Sequence, residues 1–181
     1  MNQIDDLDFV HLHVHSEYSL VDGIIRIDEL VEHSKNLGYH SVALTDLTNL
    51  FGLIEFYRSA RKTGIKPIVG SEINIAKDKD SFAAPLVLLA KNKQGYINLT
   101  KLVSKAYVDG QIDGEPIVLF SWLEELCEGI IALSGGMDGH IGNSILAGNE
   151  QLSESRVDFF QKVFKDNFFI EIHRTGKENE S

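Results

Sequence analysis

The sequence predicts an α/β fold. Three observations predict it: short β-rich runs alternate with helix-length amphipathic runs, several of the helical runs end on glycine, and no low-complexity segment, Pro-rich linker or fixed-period repeat interrupts them. With 181 residues, 43% of them hydrophobic and 24% charged, the chain is long enough to bury a core and reads as a single domain over 1–181.

The elements follow in order. Residues 9–15 form a β-rich opening run, and 26–37 a helical one. A strand over 41–45 leads into a helix over 50–63, which is followed by a strand over 67–75. The run 86–90 leads into a helix over 94–107; then come a strand at 129–134, helices at 141–146 and 152–164, and a last strand at 168–172. This order predicts mostly parallel strands wrapped by helices. Apolar residues recur near the helical period at Leu50, Ile54, Tyr57 and Ala60, and again at Leu99, Leu102, Val103 and Ala106, so both stripes are expected to face the core. Gly38, Gly64 and Gly110 fall where left-handed caps are expected, with Pro67 one turn after the second.

Composition excludes several classes. The net charge of −10 has the wrong sign for a chain whose whole surface coats DNA or anionic lipid. The charge is segmented: −8 over 1–57, +7 over 58–105, −9 over 106–155 and zero over 156–181. Nine carboxylates and no Lys or Arg lie between Ala106 and Ser155, which suits either a solvated face or a surface meeting a partner of opposite sign. A single cysteine, Cys127, leaves no internal disulfide or Cys-rich zinc module. No apolar run approaches the roughly 18 residues of a membrane span, and the acidic start 1–8 lacks the basic flank of a signal peptide, so the expected location is cytoplasmic.

Reacting groups in α/β folds gather at the carboxyl ends of strands. No GxGxxG follows the first strand and no P-loop occurs; Gly135-Gly136 suits a tight turn, and Ser16, Ser134 and Cys127 have no neighbouring base in sequence. The unusual feature is His11-Leu12-His13-Val14-His15. On a regular strand, alternation places the three imidazoles on one face about 7 Å apart at the backbone, close enough to converge on a metal. Carboxylates follow at Asp22, at Asp46 after the second strand, and at Glu72 in the third strand region. Imidazole with carboxylate suits Zn, Mn or Fe rather than Ca or Mg. The same run also suits a polar, hydrogen-bonded interior.

The stretches "FVHLHVHSEYSLVDG", "ALTDLTNLFGLIEFYRSARKTGIKPIVGSE", "LVLLAKNKQGYINLTKLVSKAY" and "IALSGG", in this order and spacing, resemble the PHP (polymerase and histidinol phosphatase) domain family. They most closely resemble its branch at the amino terminus of bacterial replicative DNA polymerase alpha subunits. The resemblance covers nearly the whole chain. It implies a distorted seven-stranded β/α barrel with metal ligands at its C-terminal rim. A final DxH motif would fall beyond Ser181, so the barrel is expected to be incomplete here.

The resemblance implies metal ligands at His13, His15, Asp22 and Glu72. Other family positions are lost. The histidine of the "TDH" pattern is Leu47, a histidine before "LLAKN" is Pro85, a cysteine after "LSG" is Gly136, and a late histidine falls on Thr175; His140 and His173 lie off register. A multi-metal phosphoesterase needs enough ligands for two or three cations plus an activated water, and three lost histidines remove them. The expectation is a degenerate site with no catalytic residue in this stretch, and no cofactor beyond one weakly bound Zn or Mn. The resemblance further implies a structural and docking role beside the polymerase thumb and the proofreading exonuclease subunit. DNA would be met through the rest of the polymerase, and no membrane is involved. An active 3′–5′ exonuclease or pyrophosphatase is the alternative, and a free-standing histidinol-phosphate phosphatase fits less well.

Overall fold

The computed structural model describes residues 9–20 and 22–173; the acidic start 1–8 and Thr175 lie outside the described residues. The chain folds as two compact units, Met1–Ser71 and Glu72–Ser181.

In the first unit, α1 (Ile27–Asn36) leads to β1 (Ser41–Leu44), and α2 (Leu53–Thr63) leads to β2 (Lys66–Ala76). Strand β1 runs parallel to the start of β2, with Ser41 opposite Lys66 and Leu44 opposite Val69. Ile27 and Val31 from α1, Val42 and Leu44 from β1, and Phe56, Ala60 and Ile65 close one apolar core. Gly64 ends α2 in the left-handed conformation at φ 84°, as its position predicts. The predicted core stripe of α2 holds at Ala60 but not at Ile54 and Tyr57. Leu53, Phe56 and Ala60 are buried, whereas Ile54 and Tyr57 are 61% and 50% exposed. Apolar residues occupy both phases of this helix, so periodicity alone does not choose between them; the packing that buries Phe56 does.

The opening run 9–15 is not a regular strand. The Ala43 N–H donates to the His11 carbonyl and the Thr45 N–H to the Val14 carbonyl, each at 2.9 Å, so a three-residue step faces a two-residue step. The Val14 N–H turns instead to the Thr45 hydroxyl at 2.8 Å, and that hydroxyl donates back to the Val14 carbonyl at 3.0 Å. The extra residue is a bulge-like irregularity, and it breaks the strict alternation on which a common face for the three histidines depends.

In the second unit, the hydrogen-bonded strand order is β4-β5-β2-β3-β6-β7, with open ends among the described residues. The sheet is mixed rather than mostly parallel: β2 is parallel to β5 (Glu115–Leu119) and β6 (Ile130–Leu133) to β7 (Phe168–Phe169), but β3 (Ala84–Ala90) is antiparallel to β6. Sequence reading passes over β4 (Gln111–Ile112), β5 and α4 (Phe120–Leu126). The signal was present in Asp113-Gly114, where both residues have positive φ, 52° and 89°, as a two-residue hairpin turn requires.

Helix α3 (Lys93–Asp109) buries the predicted stripe of Leu99, Leu102, Val103 and Ala106 and packs on β3 and β5. Helix α5 (His140–Leu146) packs on α6 (Glu150–Phe164). Gly110 is not a left-handed cap, since its φ is −105°. It is glycine because a Cβ there would run into the Ile117 carbonyl.

Candidate functional site

Asp46 follows β1 and is 1% exposed. Its carboxylate is fully engaged within the first unit. It accepts the Ser16 N–H at 2.7 Å, the Ser16 hydroxyl at 3.0 and 2.9 Å on its two oxygens, and the Ser19 hydroxyl at 2.7 Å. The Leu47 N–H donates to the same Ser19 hydroxyl at 3.0 Å, and the Ser71 hydroxyl to the Asp46 carbonyl at 2.7 Å. A buried carboxylate needs such donors, so Asp46 clamps the turn 16–19 rather than standing open to a cation. Thr48, two residues on, is buried with φ 46°, unusual for a β-branched residue and a mark of how tightly this turn is held.

The clamped turn leads to Asp22. Its carboxylate meets His15 Nδ1 at 2.8 Å, and the His15 ring stands edge-on to His13 with centroids 5.3 Å apart. A carboxylate on Nδ1 fixes the tautomer of a neutral imidazole with Nε2 as the acceptor nitrogen, the arrangement that metal-ligating histidines use. His11 does not join this pair. Its ring meets those of Phe9 and Tyr39 edge-on, with centroids 4.8 and 5.4 Å away, so the expected common face of three histidines holds for two. Leu47, in the place of the family histidine, is half-buried hydrocarbon with no ligand atom. An imidazole pair of this kind is a donor type that suits a divalent ion of borderline softness.

Glu72 is the first residue of the second unit, half-buried in β2 and next in the chain to Ser71. Pro85 lies in β3. After β6, Gly135 and Gly136 both take positive φ, 76° and 61°. A Cβ on Gly136 would stand 2.7 Å from His173 Nδ1. The His173 imidazole therefore occupies the space that a cysteine at 136 would claim, and its Nε2 meets Glu171 at 2.8 Å. Sequence register missed this pairing, because only the fold brings 136 and 173 together; the glycine was the signal. His140 is a structural histidine. It is 5% exposed, its Nε2–H donates to the Ile75 carbonyl at 2.8 Å, and Phe82 and Phe120 flank it. Burial pushes its pKa below the ordinary histidine value, and the positive charge of Arg156 pushes the same way.

The "LLAKNKQGY" stretch serves structure. The Asn92 side chain caps α3 by accepting the Gly95 N–H at 2.9 Å, and a Cβ on Gly95 would collide with the Gly129 carbonyl. Some of the segmented charge is met inside the second unit: Lys162 reaches Glu124 at 3.6 Å, and Lys105 reaches Glu125 at 4.0 Å while lying over the Trp122 ring. Such exposed pairs contribute little stability. No helix among the described residues is long and apolar enough to cross a membrane.

Comparison with known proteins bears on the same residues. The chain is 42% identical over 178 residues to a DNA polymerase III subunit alpha of Vibrio cholerae, which covers 98% of this chain and 15% of that one. It is 46% identical over 173 residues to the subunit of that name in Escherichia coli K12, covering 95% of this chain and 15% of that one. The Pseudomonas aeruginosa subunit is 42% identical over 173 residues, with the same two shares. The chain thus spans about 15% of the length of the curated relatives it matches. The family described as PHP domain matches residues 11–175, a span that holds the His13–His15 pair, Asp22, the Asp46 clamp and the Gly136–His173 contact, and the chain belongs to that family.

Proposed function

We propose that the chain is the amino-terminal PHP domain of a bacterial DNA polymerase III alpha subunit, a cytoplasmic protein that carries out DNA-templated DNA synthesis through parts lying elsewhere in the subunit. The observation that carries this reading is the alignment of 95–98% of the chain with alpha subunits at 42–46% identity. Within that parent the domain is a structural and protein-docking module, set beside the polymerase thumb and the proofreading exonuclease subunit. Its fold is read as a distorted form of the family's seven-stranded β/α barrel. Support for a non-catalytic role comes from the clamp that occupies Asp46 and from the hydrocarbon at Leu47 and Pro85. His13, His15, Asp22 and Glu72 are read as the residual ligand positions of the family, with at most one weakly bound Zn or Mn.

Titration calorimetry of the chain with the proofreading exonuclease subunit tests docking, and metal analysis after dialysis tests the site. Saturable binding with no more than one metal equivalent is the expected result. Absence of association by a folded chain removes the docking role. Two or three equivalents of metal, with nuclease or pyrophosphatase activity lost in His15→Ala, would establish the phosphoesterase alternative instead.

A further inference from the structure

Helix α2 buries Leu53, Phe56 and Ala60 and turns a second face to solvent. On that face Ile54, Arg58 and Lys62 follow one another at four-residue spacing, and Tyr57 and Arg61 run beside them, so hydrocarbon, an aromatic ring and three cations share one surface. Phe51, 69% exposed just before the helix, extends it. A groove of about 510 Å³ crosses this surface, lined by Phe51, Ile54, Arg58 and Lys62 together with the carboxylates of Asp28 and Glu55. Each carboxylate already accepts a hydroxyl: Ser59 donates to Asp28 at 2.8 Å and Tyr18 to Glu55 at 3.1 Å. The cations stand differently. No ion pair meets Arg58, Arg61 or Lys62 among the described residues, and 56–71 carries these three and Lys66 with no Asp or Glu. Cations in a last turn complement the helix dipole, which accounts for Arg61 and Lys62 but not for Arg58 one turn earlier, nor for the exposed Phe51 and Tyr57.

We propose that this face binds a single-stranded nucleic acid segment, its phosphates on Arg58, Arg61 and Lys62 and its bases stacked on Tyr57 and Phe51. Charge selects a polyanion, and the rings select one with unpaired bases, since a duplex hides its base faces and an acidic peptide uses only the cations. Two of the three cations are Arg, whose planar fork pairs bidentately with phosphate. The net charge of −10 excludes strand binding over the whole surface, not on a face where the local sign is reversed. Such a contact goes beyond the function read above, in which DNA is met elsewhere in the subunit. It gives this domain a strand contact of its own and needs neither exonuclease docking nor a metal.

The probe is a fluorescein-labelled oligothymidylate about twelve nucleotides long, titrated with the full 181-residue chain by anisotropy at about 50 and about 200 mM salt. Saturable binding that weakens with salt is expected. The double variant Arg58→Glu/Lys62→Glu is expected to weaken it by about tenfold or more and to flatten the salt dependence. Tyr57→Ala is expected to weaken it by about fivefold or more with the salt dependence kept, and Tyr57→Phe, which retains the ring, to bind as the unaltered chain does. The equal charge reversal Lys93→Glu/Lys101→Glu, at exposed positions of α3, is expected to stay within about twofold. All these positions are exposed, and urea midpoints close to that of the unaltered chain verify that each variant is folded. The proposal is overturned if the folded chain leaves the oligonucleotide free at the lower salt, if a duplex of the same length binds as well, or if a Glu-rich peptide displaces the strand at equal concentration. It is overturned too if the α3 reversal weakens binding as much as the α2 reversal, or if Tyr57→Ala has no effect. Exonuclease binding without strand binding keeps the docking reading and removes this face. Strand binding without exonuclease binding keeps the face and removes exonuclease docking.

Discussion

The Ser16 backbone N–H and the Ser16 hydroxyl both donate to the Asp46 carboxylate, at 2.7 Å and at 2.9–3.0 Å, across thirty positions of sequence. With Ser19 added, this one buried charge organises the turn that carries Asp22 to His15. Asp46→Ala orphans a backbone N–H and two hydroxyls at once. Its expected cost is about 3 kcal/mol, read as a fall in the urea midpoint. A loss within about 0.5 kcal/mol would mean that water replaces the carboxylate and the clamp has no structural weight.

Leu47→His restores a family ligand type beside that clamp, yet Pro85 and Gly136 stay without ligand atoms. No metal-dependent hydrolysis of a nitrophenyl phosphodiester is expected from this single variant with Zn or Mn. Measurable turnover would show that the remaining donors suffice for a working centre.

His140 links stability to pH. Burial lowers its pKa in the folded state from the ordinary 6.5, so below that value the unfolded chain takes up a proton that the folded chain resists. Stability is therefore expected to fall as pH drops through and below the ordinary histidine value. His140→Gln, which keeps a donor for the Ile75 carbonyl, should flatten this dependence when urea midpoints at about pH 7.5 and about pH 5.5 are compared. An unchanged slope in the variant would assign the dependence to other groups.

Gly95 and Gly148 separate two reasons for glycine. A Cβ at 95 meets the Gly129 backbone, whereas Gly148 has open space around it and only a positive φ of 67°. Gly95→Ala is expected to cost about 3 kcal/mol by overpacking, and Gly148→Ala about 1 kcal/mol by backbone strain. Thermal unfolding of the two variants side by side checks the order; equal losses would mean that α3 and the start of β6 shift apart freely.

Much of this protein was legible before its fold. Helices α1, α2, α3, α5 and α6 lie within about three residues of their periodic runs, because burying one face of a helix imposes a local spacing that survives in the sequence. Leu99, Leu102, Val103 and Ala106 show it directly. The phase of α2 was not legible, because Ile54 and Phe56 offer competing apolar stripes and only contact with Ile27 and Val42 selects Phe56. The hairpin at Asp113-Gly114 was legible in principle but easily lost beside Pro116.

For the site, the sequence shows donor side chains at His13, His15, Asp22 and Glu72, the positions that the family resemblance implies, and none at Leu47, Pro85 and Gly136. Which of them stand together is another matter. His11 leaves its neighbours because one extra residue breaks strand alternation, Asp46 is taken by serines 30 and 27 positions away, and His173 fills the space beside Gly136. Spacing along a chain encodes local periodicity and chemical type. Hydrogen-bond partners and filled space depend on groups far apart in sequence, and only packing in three dimensions brings those together.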